Sequence, residues 1–390
     1  MVEWKKLGEV CEVLNGFAFK SNEYVDEGIR VIRISDVQSG YLSNKDKVYY
    51  PTAKKQEIQK QLLHAGDLVM SLTGNPGRVA LIDEENCALN QRVACLRTEG
   101  NLKSFLFYLF NSKDFENIAF ANSTGGAQKN LSTTWLKNFL IPIPSLQEQE
   151  RIVGILDTFT ASIDNLKAQI EQRRKQYEGY LDKFYYSKQE MIDLANKGDI
   201  QIKTLDEIGT FTRGRRFVRT DIVSEGVPCI HYGDMYTYYG VKADTTPSFL
   251  TEETAKKLRF AQKGDVVIVG AGENDIDIGV GVAWMGKEDV VVHDACYIFK
   301  HSMNPIYLSY FMRSNNYHQQ IRMGVVDGKI CSISAKELGR TLIPIPSLQE
   351  QERIVGILDT FEASIKNLEA QLEQRQKQYE YYREKLLTFE

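Results

Sequence analysis

The sequence predicts an α+β protein in which two similar mixed α/β globular domains are joined by two long helices forming an antiparallel coiled coil, with pseudo-two-fold repetition. Three observations predict it. Residues 140–159 read LIPIPSLQEQERIVGILDTF, and residues 342–361 repeat that string letter for letter. Behind each copy, large side chains recur at alternating steps of four and three. The blocks outside these stretches share phrases at an offset of 198, Gly66-Asp67-Leu68-Val69-Met70 against Gly264-Asp265-Val266-Val267-Ile268. A repeat spaced this far apart is a duplicated half-protein, because solenoid periods run from roughly 20 to 50 residues.

The first domain, residues 1–143, and the second, residues 191–344, follow one order of elements. Leu7-Gly8-Glu9-Val10 corresponds to Leu205-Asp206-Glu207-Ile208. A Gly-rich turn follows in each (Thr73 to Gly77; Gly270 to Asn274), then a β-rich run (Arg78 to Ile82; Gly279 to Trp284). Each ends in a Gly-containing loop with a basic residue, Thr124 to Asn130 and Val326 to Lys329. Short β-branched and aromatic runs broken by Gly, Asn and Asp, with helical stretches at Lys103 to Phe110 and Thr251 to Arg259, indicate a mixed domain.

Two helical spacers follow the domains, residues 144–190 and 345–390. In the first the seam is Ile152, Leu156, Phe159, Ile163, Leu166, Ile170, Arg173, Tyr177, Tyr180 and Phe184. The second runs from Ile354 to Leu386 in the same steps, with Arg375 in the place of Arg173. Such a stripe keeps one face toward one partner helix, and a polar residue within it fixes register. Pro142 and Pro144, like Pro344 and Pro346, impose extended backbone before each helix. Ser145 and Ser347 stand three residues before Glu148 and Glu350, the spacing of a capping box.

Composition excludes several classes. The net charge of −4 lacks the strongly basic balance of a free-standing DNA binder, so DNA contact would need local basic clusters or a partner's charge. Six cysteines without a C-x-x-C pair suggest reduced thiols, neither a disulfide framework nor a zinc ribbon. His293 and Cys296 have ligand-like spacing but no second pair, and no metal is expected. The N-terminus has no apolar signal core and no window has the length of a membrane span, which places the chain by expectation in the cytoplasm. There is no P-loop for ATP and no Asn-Pro-Pro-aromatic methyltransferase motif, since Asn75-Pro76-Gly77 lacks the second proline and the aromatic ring.

With these residues in view, the chain resembles the specificity subunits of type I restriction-modification systems over essentially its whole length. The phrase I-P-x-P-S-L-x-E-Q-x-x-I stands at Ile141 to Ile152 and at Ile343 to Ile354. Asn15-Gly16-Phe17-Ala18-Phe19-Lys20-Ser21, Leu89-Asn90-Gln91-Arg92 and Gly126-Ala127-Gln128-Lys129-Asn130-Leu131-Ser132 belong to the same set. The resemblance implies a non-catalytic subunit whose two target-recognition domains each read one half of a bipartite, asymmetric site in double-stranded DNA. It implies helices that set the spacing and dock two methyltransferase subunits, with motor-endonuclease subunits completing the complex. No cofactor would be bound by this chain; S-adenosylmethionine, ATP and Mg would belong to the partner subunits. The competing expectation is a decoy that binds methyltransferase subunits without reading DNA.

Candidate DNA-contacting residues in the first domain are Lys20, Ser21, Arg33, Asn75, Arg78, Gln91, Arg92, Gln128, Lys129 and Asn130. Arg suits guanine edges, Asn and Gln suit adenine, and Gly lets the backbone approach closely. In the second domain they are Arg213, Arg215, Arg216 and Arg219 of the TRGRRFVR cluster, with His231, Tyr232 and Lys329. The aromatic run Met235 to Gly240 is expected to be partial core rather than a base-stacking platform, because the target is a duplex. For partner docking the duplicated phrase nominates Gln147, Glu148, Gln149 and Arg151, and Gln349, Glu350, Gln351 and Arg353. The letter-for-letter repeat also points to recent duplication or recombination, since packing conserves class and volume rather than every residue.

Overall fold

The computed structural model describes residues 2–126, 129–198, 200–273 and 275–389. The chain divides into two compact units, Met1–Lys167 with Ala370–Glu390, and Ala168–Glu369.

In unit 1 a four-stranded antiparallel sheet takes β1 (Glu12–Asn15), β3 (Leu68–Ser71), β4 (Val79–Leu81) and β6 (Val93–Arg97) in the order β1-β6-β3-β4. A second sheet centres on β2 (Ile29–Ile32) and β5 (Cys87–Leu89), which pair parallel. Strands β2, β3 and β5 are buried at every position and read as continuous apolar runs, as strands covered on both faces do. Arg30 is the one charged residue among them. Its guanidinium meets Glu84, the Asn44 side chain and the Ser43 carbonyl.

Unit 2 repeats this arrangement. Strands β7 (Gly209–Arg213), β9 (Val266–Val269), β10 (Gly281–Trp284) and β12 (Cys296–His301) take the order β7-β12-β9-β10, with Lys242–Ala243 added at the edge. The parallel pair is β8 (Val227–Ile230) with β11 (Val290–Val292). Expected helices are present as Gly100–Phe110 and, shorter than predicted, Glu252–Ala255.

The proline-rich entry to each long helix is a β-strand. Leu140–Ile143 pairs antiparallel with Glu3–Lys6, and Leu342–Ile345 with Gln201–Thr204. The first and last strands of each domain thus close on each other immediately before the helix departs.

The long helices span Leu146–Tyr185 and Leu348–Leu387. The first ends before the predicted limit at 190, and a separate helix, Lys188–Lys197, follows behind a Ser187 cap. Within each unit a stretch of one long helix packs antiparallel against a stretch of the other. In unit 1 the Phe159 ring lies 5.4 Å from Tyr382 and 6.5 Å from Tyr379, and Leu387 joins Ile152 and Leu156 in the core. In unit 2 Phe361 lies 5.1 Å from Tyr180, while Arg174 bonds Glu369 at 2.6 Å. The seam arginines have a more specific place than register alone implies. The Arg375 guanidinium sits 5.6 Å from the Phe159 ring in unit 1, and Arg173 lies 5.6 Å from Phe361 in unit 2. A cation over an aromatic face contributes about 0.5–1 kcal/mol at such semi-exposed sites.

The capping boxes form only halfway. Ser145 and Ser347 accept from the backbone N–H of Glu148 and Glu350, at 3.3 and 3.2 Å. The glutamates do not reach back. They take the guanidinium forks of Arg151 and Arg353 instead, one turn on, at 2.6–2.8 Å. A bidentate charged pair displaces a single bond to a backbone N–H.

In each unit a buried tyrosine of the globular domain bonds an aspartate of a long helix. Tyr108 donates to Asp157 at 2.6 Å in unit 1, and Tyr310 donates to Asp359 at 2.7 Å in unit 2. The duplicated Gly-Asp turn is also structural. Asp67 accepts from Arg97 at 2.6 and 3.1 Å and from the His64 N–H at 2.9 Å. Burial alone would raise its pKa, but the Arg97 bonds and the His64 N–H outweigh burial and hold the carboxyl below the ordinary aspartate range. Replacing Arg97 by Met is therefore expected to lower the stability of unit 1 by about 2 kcal/mol, between the values for exposed and fully buried pairs. With a depressed folded-state pKa, this stabilisation is complete above the unfolded aspartate pKa and is lost as pH falls through the folded value. Urea melts of wild type and variant at neutral pH and at pH 3 check it: the difference at neutral pH should shrink in acid.

Candidate nucleic-acid interface

In unit 1 four loops gather at one end of the β1-β6-β3-β4 sheet. The turn after β1 crosses the segment leading into β6: Phe17 N–H donates to Leu89 at 2.8 Å and Gln91 N–H to Phe17 at 2.9 Å. Gly16 permits this crossing, since a Cβ built on it would lie 2.0 Å from the Asn90 carbonyl oxygen. The Gly-rich turn after β3 is tied on both sides, by Leu72 N–H to Arg92 and by Gly74 N–H to Lys129, each 2.9 Å. Thr124 and Asn130 exchange backbone bonds, and the Thr73 hydroxyl donates to the Asn130 side chain at 3.1 Å.

Backbone bonds therefore hold this surface while many side chains remain available. Lys20, Ser21, Asn75, Gln91, Arg92 and Asn130 are exposed there, and among the described residues the side chains of Lys20, Asn75, Gln91 and Arg92 make no internal hydrogen bond or ion pair. Lys129 is half-buried, its ammonium 5.1 Å from the Phe120 ring. Gln128 lies outside the described residues. Two nominated arginines are engaged elsewhere. Arg33 donates to the Asp46 carbonyl at 2.5 Å and its Nε lies 3.5 Å from the buried Asp36 carboxylate. Arg78 donates to the Gln38 side chain at 2.9 Å. Both guanidiniums are thus tied to the fold, Arg33 to the Asp46 turn and Arg78 to the hairpin that carries Gln38.

Unit 2 builds the same end with different side chains. Gly214 takes the place of Gly16: a Cβ on it would lie 2.2 Å from the His293 carbonyl oxygen. Gly270 and Ala271 N–H both donate to Ala295, and Ile333 N–H donates to Gly270 at 2.9 Å. The arginine cluster divides in two. Arg213 donates to the Asp294 carbonyl at 2.7 Å and Arg215 to the Lys257 carbonyl at 2.8 Å, which fastens the loop to its neighbours. Arg216 and Arg219 are exposed and, among the described residues, make no internal hydrogen bond or ion pair through their side chains. Lys329 is exposed in the hairpin closed by Val326 and Ser332.

His231 and Tyr232 prove to be parts of an aromatic cluster rather than free readers. Their rings lie 4.6 Å apart, and His293 lies 5.0 Å from both His231 and Phe217. Burial pushes both histidine pKa values below the ordinary range. His293 Nδ1 accepts from Ala295 N–H at 3.1 Å and Nε2 lies 3.1 Å from the Phe217 carbonyl, which requires the neutral ring protonated at Nε2. The following aromatic run is split: Met235 and Tyr239 are buried, Tyr236 and Tyr238 exposed.

At the first turn of each long helix Gln147 and Arg151, and Gln349 and Arg353, are exposed; Glu148 and Glu350 pair with those arginines. Gln149 and Gln351, nominated for docking, are buried at 6% and 2% exposure, and their amides donate to the carbonyls of Pro144 and Pro346. They close the helix entry and cannot meet a partner. Leu146 and Leu348, which the sequence reading did not nominate, are 61% and 60% exposed at the same turns. Their signal was present: an apolar residue off the seam, repeated in both copies.

The domain model described as "Type I restriction modification DNA specificity domain" matches residues 1–173 and again 197–375. A Haemophilus influenzae protein named as a type I restriction enzyme specificity subunit is 29% identical, covering 100% of this chain and 96% of its own. The Escherichia coli EcoR124I/EcoR124II specificity subunit is 30% identical over 65% of each chain. Among solved structures, the S subunit of a type I system from M. genitalium superposes with a TM-score of 0.56 at 18% identity, covering 100% of this chain and 97% of that one. A chain from a structure of type I complex assembly and conformational transition gives 0.58 at 18% identity, with coverages of 99% and 97%. Among the described residues no helix is long and apolar enough to cross a membrane.

Proposed function

Since the chain belongs to the type I restriction-modification DNA specificity family, we propose that it is the sequence-reading subunit of such a complex, each unit reading one half of a bipartite, asymmetric site in duplex DNA. One observation carries this reading. The same backbone frame, crossed at Gly16 in unit 1 and Gly214 in unit 2, presents exposed Asn75, Gln91 and Arg92 in one copy and Arg216, Arg219 and Lys329 in the other. A shared frame with different donors is what two different half-sites require.

The subunit carries no chemistry. S-adenosylmethionine belongs to the methyltransferase subunits, and ATP and Mg to the motor-endonuclease subunits, all in the cytoplasm. Two methyltransferase subunits dock, one at each copy of the duplicated helix entry, through Leu146, Gln147 and Arg151 and through Leu348, Gln349 and Arg353. Replacing both Leu146 and Leu348 by Asp is expected to reduce co-purification of the methyltransferase subunit at least tenfold, since two exposed leucines that become buried lose roughly 1.5–3 kcal/mol each. Pull-down with unchanged melting of the variant checks it; undiminished capture would place docking elsewhere. The function itself is tested by methylome sequencing of a host expressing this chain with its methyltransferase subunit, against a host lacking this chain. One new bipartite methylated motif is the expected result, and its absence despite co-purification would overturn the reading.

A further inference from the structure

Four large hydrophobic side chains stand in solvent on the loops and short helical turns of unit 2: Ile276 is 78% exposed, Met323 94%, Val326 66% and Ile330 63%. Val326 and Ile330 share one hairpin, closed by the Val326–Ser332 bridge and tied to the turn after β9 by the pairing of Ala271–Gly272 with Cys331–Ser332. This hairpin belongs to the end of the sheet described above. Val326 lines one hollow with Arg213, Gly270 and Asp294.

Unit 1 holds the same frame with polar chemistry. Thr124 bridges Asn130 as Val326 bridges Ser332, each pair displaced by 202 residues. The same displacement sets Gln128 against Ile330 in the sequence. The duplication has thus placed aliphatic side chains where the other copy carries a hydroxyl and an amide. Clustered exposed aliphatics mark surfaces that become covered on binding. Against a DNA duplex the apolar feature available in the major groove is the thymine C5-methyl group. Asp327, exposed between the two aliphatics, points the same way, because a carboxylate is repelled by phosphate but can accept from a cytosine amino group at a base edge. Arg216, Arg219 and Lys329 supply the flanking cations for the backbone.

We propose that Val326 and Ile330 are specificity-determining residues that pack on thymine methyl groups in the half-site read by unit 2. The inference rests on the DNA-reading function above. Its test uses the complex of this chain with its methyltransferase subunits on duplexes carrying the motif from the methylome, with each thymine of either half-site replaced by deoxyuridine. Removing a contacted methyl should lower kcat/KM for methylation about fourfold, the fold-change expected for one buried methyl-sized group. A Val326→Thr/Ile330→Gln variant, which installs unit 1 chemistry, should lose that sensitivity in the same half-site and leave the other half-site unchanged. Deoxyuridine tolerated within twofold at every position of both half-sites would overturn the proposal. So would a double variant that keeps full discrimination, and so would one that no longer retains its methyltransferase subunits, since the patch would then be a protein contact. Absence of any bipartite motif overturns the DNA-reading function as well, which separates the two failures.

Discussion

Gln91→Ala combined with Arg92→Ala is expected to reduce modification of the bipartite site on the order of 100-fold, while leaving the thermal melt within about 0.5 kcal/mol of wild type. Both side chains are exposed at the point where the segment into β6 meets the Gly16 crossing, and neither is used by the fold. Loss of one good base contact costs about 1–3 kcal/mol, so two lost together reach the stated factor. The backbone groups of the same residues remain in their bonds to Phe17 and Leu72, which is why stability should hold. Arg33→Ala is the contrasting variant. Its guanidinium serves Asp36 and Asp46, so it should weaken the fold before it alters the motif. Initial methylation rates on the cognate duplex, beside urea melts, distinguish the two. A double variant with near-normal rates would remove this loop from the interface.

Gly16→Ala and Gly214→Ala should each destabilise their unit by about 3 kcal/mol, at the upper end for overpacking, because backbone cannot turn aside as a flexible side chain can. The added methyl carbon would stand 2.0 Å from the Asn90 carbonyl oxygen in one case and 2.2 Å from that of His293 in the other. Since the crossing also presents the reading loops, the loss of modification should exceed the loss of folded protein. Gly179→Ala is the control. It lies within the first long helix with nothing within 4 Å of its added Cβ, and it should stabilise by about 0.5–1 kcal/mol. Denaturant midpoints for the three variants check the prediction; equal effects at Gly16 and Gly179 would refute it.

The shared backbone frame of the two candidate surfaces was legible because the duplication supplied an internal comparison. Asn75, Gln91 and Arg92 stand exposed beside glycine, as their residue types suggested. Arg33, Arg78, Arg213 and Arg215 could not be separated from Arg92, Arg216 and Arg219 by type. A guanidinium that bonds a carbonyl 13 residues away, as Arg33 does with Asp46, reads in sequence like one that faces solvent. Gln149 and Gln351 were misassigned for a related reason. A glutamine on a polar helix turn looks available until the strand before it folds back and places a proline carbonyl within reach.

The sequence by itself determined the twofold repetition, the two long helices and their seam, because periodic apolar residues and a copied string are local patterns that need no knowledge of the remaining chain. It also determined the mixed α/β character of each domain, through short apolar runs and the turn residues that interrupt them. Only the tertiary structure decided that the helix entries are strands closing each domain, that Arg173 and Arg375 lie over phenylalanine rings, and which donors stay free. The physical reason is that hydrogen-bond satisfaction and desolvation are pairwise properties of groups distant in sequence. A side chain's residue type states what it can bond, and only the fold states what it has already bonded.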